Sequence, residues 1–373
     1  MRTAVLVLAI FFFAAIAHAQ SGAKPAPSPT PKSDDQEPVR VFTEEVRLPI
    51  AATDTYGHFD PTLTIDDVLI IENGEQQQIK SIQHLPANVL LLLDVGNQLG
   101  LKSSELTRNA ALSVINRLFK GTRFAVMQFA LKPELIQPWT TDKAEMEKVL
   151  KRKMLSGKSS RLPDALAAAA EQFRETAPGT RHIVIISDGV DTPGGKVTLA
   201  NALKALNSIQ VSVHVLSYTV MERQELQAKT KVVSGGDGVQ RDGAPGGNPV
   251  ANGDPTLPPG VTRTPSFKIG SIDTDVAMRR KRKEYERATR DSEKELTTIA
   301  EESGGRIFLP VNANELLAQA DSVARDIGSR YVLTYRPTHP LSQAKPGEYR
   351  IVEVASRRVG LYLRTRKGYV VPN

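Results

Sequence analysis

The chain has 373 residues, enough to bury a substantial core and to divide into more than one module. It contains no cysteine, which excludes disulfide bonds and thiol nucleophiles, so its stability has to come from packing. A formal net charge of +7 permits an anionic partner without specifying one.

The N-terminus reads as a leader. Residues 1–19 join an early base, Arg2, to the apolar run Ala4–Ile16 and the small-x-small triplet Ala17-His18-Ala19. That is the pattern of a secretory signal cut after Ala19, and it predicts a secreted or periplasmic protein. Residues 20–38, rich in Pro, Ser and charge, predict a solvated linker. Over residues 39–85, short alternating runs are separated by turn signals at Tyr56-Gly57 and Asn73-Gly74. Asn-Gly between two extended runs predicts a hairpin, because both residues tolerate positive φ. This small β module is too short to bury much surface alone and needs a partner elsewhere in the chain.

From Asn88 the pattern changes. The runs NVLLLLD (88–94), RFAVMQF (123–129), HIVIIS (182–187), VSVHVLSY (211–218) and GRIFLP (305–310) predict strands. Helical stretches lie between them at about 103–119, 142–154, 162–173, 198–206 and 291–303. Strand–helix alternation predicts an α/β domain over residues 86–328, with a doubly wound, mostly parallel, Rossmann-like sheet. In such a sheet, ligands sit where loops leave the carboxyl ends of the strands. Residues 234–265 are rich in Gly and Pro and predict a disordered insertion. A charged helix at 278–290 carries the run Arg279, Arg280, Lys281, Arg282 and Lys283, which suits a solvated face or an anionic surface. Three further β-like stretches, 329–337, 347–356 and 360–371, lie within residues 329–373 and are expected to pack with the N-terminal β module.

Most catalytic patterns are missing. Gly157-Lys158-Ser159 resembles the tail of a phosphate loop, yet the position of its first glycine is Arg152. No Gly-x-Ser-x-Gly elbow occurs, and the histidines have no zinc spacing. His182 and His214 lie in apolar strand runs and read as satisfied core residues. The informative groups are acids at strand exits: Asp94 ends the first strand of the domain, and Asp188 follows the third. If those strands are neighbours, the two acids share one edge, and a hydroxyl near Ser159-Ser160 can approach the same spot from an adjacent loop. Acid and hydroxyl oxygens together suit a hard divalent ion.

The order of elements, the apolar strand ending in Asp94 and the later ISDGVDT resemble a von Willebrand factor type A (VWA) domain. The adhesion site of that family takes Asp-x-Ser-x-Ser from one loop, a Thr from a second and an Asp from a third. Carried over, Asp94 matches the first acid, Ser160 falls at the Thr position and Asp188 matches the third-loop acid. Gly96 and Gln98 stand where the family has its two serines; Gln98 keeps an amide oxygen, and Gly96 leaves only room for water. The resemblance therefore implies a degenerate site of Asp94, Gln98, Ser160 and Asp188, with weak affinity for Mg2+, Mn2+ or Ca2+. In metal-competent relatives an acidic residue of the partner completes the coordination. The whole layout, from about Val39 to Tyr369 apart from the insertion, is similar to a family of exported bacterial proteins, the acidobacterial VWFA-related family. The A-type domain implies non-enzymatic binding of another protein through the loops at 96–99, 158–161 and 189–192. Two other classes stay open from sequence. One is a hydrolase using Asp94 and Asp188 as an acid pair; the other is an envelope-associated structural protein holding an anionic surface through Arg279–Lys283.

Overall fold

The computed structural model describes residues 44–96, 104–174, 176, 178–234 and 276–371. The expected leader, the linker and the Gly/Pro-rich insertion beyond Ser234 lie outside the described residues. Three strands come first: β1 (Val46–Thr53), β2 (Val68–Glu72) and β3 (Glu75–Gln83). β2 and β3 form the hairpin expected at Asn73-Gly74, whose φ values of 49° and 86° match the twist of the flanking strands.

The central domain then runs through β4 (Ala87–Asp94), α1 (Ser104–Arg117), β5 (Arg123–Phe129), β6 (Pro133–Thr140) and α2 (Lys143–Lys153). It continues with α3 (Leu162–Gln172), β7 (Thr180–Ser187), α4 (Leu199–Ser208), β8 (Ser212–Ser217) and α5 (Thr219–Ser234). After α6 (Val276–Glu302) come β9 (Ile307–Phe308) and α7 (Ala313–Gly328). The sheet order is β6-β5-β4-β7-β8-β9, and of these strands β6 alone runs antiparallel to its neighbour.

β4 lies at the centre and is buried along its whole length. Val89, Leu91 and Leu93 pack against α1, α2 and α7, while Leu90 and Leu92 pack against α3, α4 and α6. A strand covered on both faces has no need of polar alternation, which is why the sequence there is a continuous apolar run. Each fully buried leucine contributes on the order of 2 kcal/mol.

The remaining strands are β10 (Arg330–Arg336), β11 (Tyr349–Ser356), β12 (Tyr362–Arg364) and β13 (Gly368–Val370). They join the N-terminal strands in a curled antiparallel sheet of order β12-β1-β10-β3-β2-β11-β13. The central domain is thus inserted between two paired strands, β3 and β10. Only His84, Leu85 and Pro86 separate β3 from β4, and only Ser329 separates α7 from β10.

Several elements differ from expectation. The stretch 305–310 supplies only the two-residue β9, and 360–371 breaks into β12 and β13 at opposite ends of the curled sheet. β6 and α5 carry weak patterns and are additional. β6 holds Pro133 and Pro138 and lies on a sheet edge, where a missing N–H costs least. The basic helix at 278–290 and the stretch 291–303 form one helix, α6. Among the described residues, no helix is long and apolar enough to cross a membrane.

A buried polar network joins the two sheets at the amino edge of the parallel one. Arg330, 1% exposed, donates to the Gly304 carbonyl (2.6 Å) and to Asp326 Oδ2 (3.1 Å). Arg364 of β12 donates to Asp326 Oδ1 and to the carbonyls of Gly304 and Gly305. His214 Nδ1 lies 3.1 Å from Asp326 Oδ2, His182 Nδ1 lies 3.1 Å from His214 Nε2, and Thr180 Oγ1 lies 2.9 Å from His182 Nε2. One proton per histidine satisfies this chain in one direction, from the Thr180 hydroxyl towards an anionic Asp326. Burial, with nearby Arg330 and His214, holds His182 well below its ordinary range, and burial brings His214 down to about 4.

Both histidines are therefore neutral in the folded chain, whereas the unfolded chain takes up protons below about pH 6.5. Unfolding then binds more protons than folding, so stability is retained above that pH and lost as the pH falls towards 4. Urea unfolding at pH 7 and at pH 4.5 is expected to differ by roughly 5 kcal/mol from the two histidines together. The His182→Leu/His214→Leu variant is expected to flatten that part of the profile.

Candidate functional site

At the opposite, carboxyl edge, β4 and β7 run side by side in parallel, with Leu93 opposite Ile186. Asp94 and Asp188 thus leave the same edge from adjacent strands, as the sequence suggested. Each is about 1% exposed. Each also accepts from the backbone N–H two residues on, Gly96 N for Asp94 (3.0 Å) and Val190 N for Asp188 (3.0 Å). That is the local turn an Asp side chain makes when a strand ends. Gly189, with φ of +69°, provides the tight turn between Asp188 and Val190.

Hydroxyl groups surround Asp94. Ser160 Oγ donates to Asp94 Oδ1 (2.5 Å), and Ser187 Oγ donates to Asp94 Oδ2 (2.6 Å). Ser160, placed by sequence at the Thr position of the site, does reach the first acid. Ser187 was not anticipated; it precedes Asp188 on β7, and the alternation of the strand turns it towards Asp94. The loop bearing Ser160 is tied down on both sides. Gly157 N donates to the Val95 carbonyl (2.7 Å), and Thr192 N donates to the Ser160 carbonyl (2.7 Å).

This loop closes over Gly96. A Cβ at position 96 would lie 2.1 Å from Ser160 Oγ and 2.6 Å from the Ser159 carbonyl carbon. Any side chain there, a serine included, collides with backbone as well as with a hydroxyl. Position 96 is thus glycine because the second loop occupies the volume that a first-loop side chain would need. Gln98, the remaining predicted ligand, lies outside the described residues.

Asp188 has a different set of partners. Its Oδ2 accepts a hydrogen bond from the hydroxyl of Tyr285 on α6, and its carbonyl accepts one from Ser292 Oγ (2.6 Å) on the same helix. The same phenolic oxygen lies 2.9 Å from Glu222 Oε2 on α5, so one hydroxyl proton is shared between two carboxyl groups. Burial, together with the flanking Asp188 and Glu222, pushes the ionisation of Tyr285 far upward, so the phenol keeps its proton. Tyr285 was invisible in sequence, set in a charged run that reads as a solvated helix. Four of the five bases of that run are exposed, Arg279, Arg280, Lys281 and Lys283, whereas Arg282 is half-buried; Arg280 pairs with Glu284. Among the described residues, no group of three or more His, Asp or Glu side chains is arranged to hold a metal ion.

The third loop is fastened to α3. Asp191 Oδ1 accepts from Leu162 N (3.1 Å), and Asp164 accepts from Lys196 N (2.9 Å) and Val197 N (2.7 Å). Three substitutions probe the site. Gly96→Ser is expected to destabilise by about 2–4 kcal/mol in urea unfolding, through overpacking. Gly96→Ala should cost as much, which identifies volume and not the hydroxyl as the cause. Tyr285→Phe removes the donor shared by two buried carboxylates and should cost about 1–3 kcal/mol. A loss below about 0.5 kcal/mol, the range of an ordinary surface substitution, would mean that the hydroxyl is idle.

Residues 88–234 match the family model of the von Willebrand factor type A domain. No curated protein sequence matched. Among solved structures, a von Willebrand factor type A protein from Catenulispora acidiphila is 10% identical, with a TM-score of 0.43 over 85% of this chain and 76% of that one. BatB from Bacteroides thetaiotaomicron is 19% identical, with a TM-score of 0.30 over 35% of this chain and 66% of its own. The domain of the pili tip protein Mfa5 from Porphyromonas gingivalis is 19% identical, with a TM-score of 0.26 over 31% of this chain and 43% of that one. This chain therefore spans less than two thirds of BatB and of the Mfa5 structure, and likenesses at these scores carry no weight beyond the family match. Family match and strand order agree: this chain carries a von Willebrand factor type A domain over residues 88–234.

Proposed function

We propose that this chain is an exported, non-enzymatic binding protein whose VWA domain presents its carboxyl-edge loops to another protein without a resident metal ion. VWA domains are typically interaction modules, and the leader-like residues 1–19 support export. The observation that carries the metal-independent reading is the closure of Ser160 over Gly96. In the family pattern, the hydroxyls of the first loop face an ion. Here position 96 has no room for one, and the Ser160 and Ser187 hydroxyls donate to Asp94. Asp188 is engaged by Tyr285 in turn. Hydrogen bonds from hydroxyl donors thus help to stabilise both buried carboxylates. As arranged, these residues do not fit a divalent ion.

The acid-pair hydrolase reading gains nothing from this geometry. A catalytic acid or base has to reach a substrate atom. Asp94 and Asp188 are almost fully buried, each among its own donors. The loops around them are better placed. Lys158, Asp191 and Lys196 are exposed at the rim, on backbone pinned by the hydrogen bonds of Ser160, Asp164 and Asp191. A rigid rim with exposed side chains suits recognition of a preformed surface.

Two measurements test the proposal. Calorimetric titration with magnesium, manganese and calcium is expected to give no heat, and millimolar ion no thermal shift. A photo-crosslinking residue at position 158 or 196 is expected to capture a partner in the native envelope, whereas one at Lys80 on β3 is not. Saturable ion binding would overturn the metal-independent part. Equal capture at all three positions would overturn the choice of face.

A further inference from the structure

We infer that a cleft beside the acid site receives a basic side chain, Lys or Arg, from the protein partner. The inference rests on the protein-binding reading above and gives it a chemistry. The cleft, of about 410 Å3, lies between the third loop, the start of α3 and the middle of α6. Its floor is apolar and includes Leu162, Val197, Leu296 and Ile299, and its ionisable lining residues are Asp191 and Glu295, with no base among them. Both acids are exposed at the rim, whereas Leu162, Leu296 and Ile299 are buried below.

An apolar floor under an acidic rim fits one kind of side chain closely. Lys and Arg carry a long hydrocarbon stem and a cationic head, so the stem covers the floor while the head stays at the wet rim. Asp191 is suited to receive the head. One of its oxygens is committed to Leu162 N, and partial burial raises its pKa above the ordinary value. A cation alongside would relieve that desolvation. Arg161 reaches Gly194 at the edge of the cleft and already acts on Asp191 as a nearby positive charge, though burial outweighs it, while Lys158, Lys196 and Lys294 are exposed. The lining itself stays acidic.

The inference reverses the charge preference expected of a metal-bearing VWA edge. With a cation in place, the edge attracts an acidic side chain of the partner. Here the cleft beside that edge presents Asp191 and Glu295 at its rim, and an acidic partner residue entering it meets repulsion.

The test uses the full chain labelled with 15N at glycine. It is titrated with Nα-acetyl-arginine amide and, separately, with Nα-acetyl-glutamate amide. The arginine probe is expected to shift the Gly189, Gly194 and Gly195 amides saturably with a millimolar Kd, and the glutamate probe is expected to leave them in place. Glu295→Gln combined with Asp191→Asn, which keeps an acceptor for Leu162 N, should weaken the arginine response about tenfold, a change of about 1.4 kcal/mol. No localised shift, an equal response to glutamate, or an unchanged response in the double variant would each overturn the inference. Crosslinking at the edge without an arginine response removes this inference and leaves the protein-binding reading standing. An arginine response without any edge crosslink removes the partner and leaves a site for a free small cation.

Discussion

The site follows from the complete burial of β4. A strand covered on both faces delivers its last residue, Asp94, into a region that water does not reach freely. A carboxylate there needs compensation, because an unpartnered buried charge costs several kcal/mol. The chain supplies it with hydroxyls and a backbone N–H from three different segments. The same demand brings α6 over Asp188, through Tyr285 and Ser292. The loops of the carboxyl edge are fixed because two acids at the ends of buried strands have to be satisfied.

The two edges of the parallel sheet carry different duties. At the amino edge, Asp326 gathers Arg330, Arg364 and His214 and locks the curled sheet to β7, β8 and α7. The short connections at 84–86 and at Ser329 leave little freedom between the sheets. About 25 Å away, the length of β7 at 3.3 Å per residue, lies the acid edge. The curled sheet therefore leaves the carboxyl edge uncovered and holds it from behind.

What the sequence made legible was what local chemistry dictates. The run Asn88–Asp94 could only be a strand buried on both faces, Asn73-Gly74 could only be a tight turn, and His182 and His214 read as core residues because apolar neighbours flank them. Elements whose character depends on distant partners stayed hidden. β6, with two prolines, looks like a loop until β5 offers it an edge. The stretch 360–371 alternates throughout, yet Arg366 and the residues beside it are drawn towards the turn at Gly304, which splits the run into β12 and β13. At the site, Asp94, Ser160 and Asp188 were legible through the family pattern. Tyr285 and Ser187 were not, since the partner of a carboxylate is chosen by which helix or strand lies nearest, and spacing along the chain does not record that.

The glycine at position 96 gives this edge its particular character. Departure from the serine pattern can arise by loss of a ligand into an open space or by replacement of that ligand with something else. Here the volume is filled: Ser159 and Ser160 occupy it, and their loop is held by Val95, Ala130 and Thr192. A filled site resists reversal, because restoring the side chain means displacing a loop tied to its neighbours by backbone hydrogen bonds. The packing of the Ser160 loop onto Gly96 is therefore what sets this edge apart from the serine pattern, and it does so through backbone and volume.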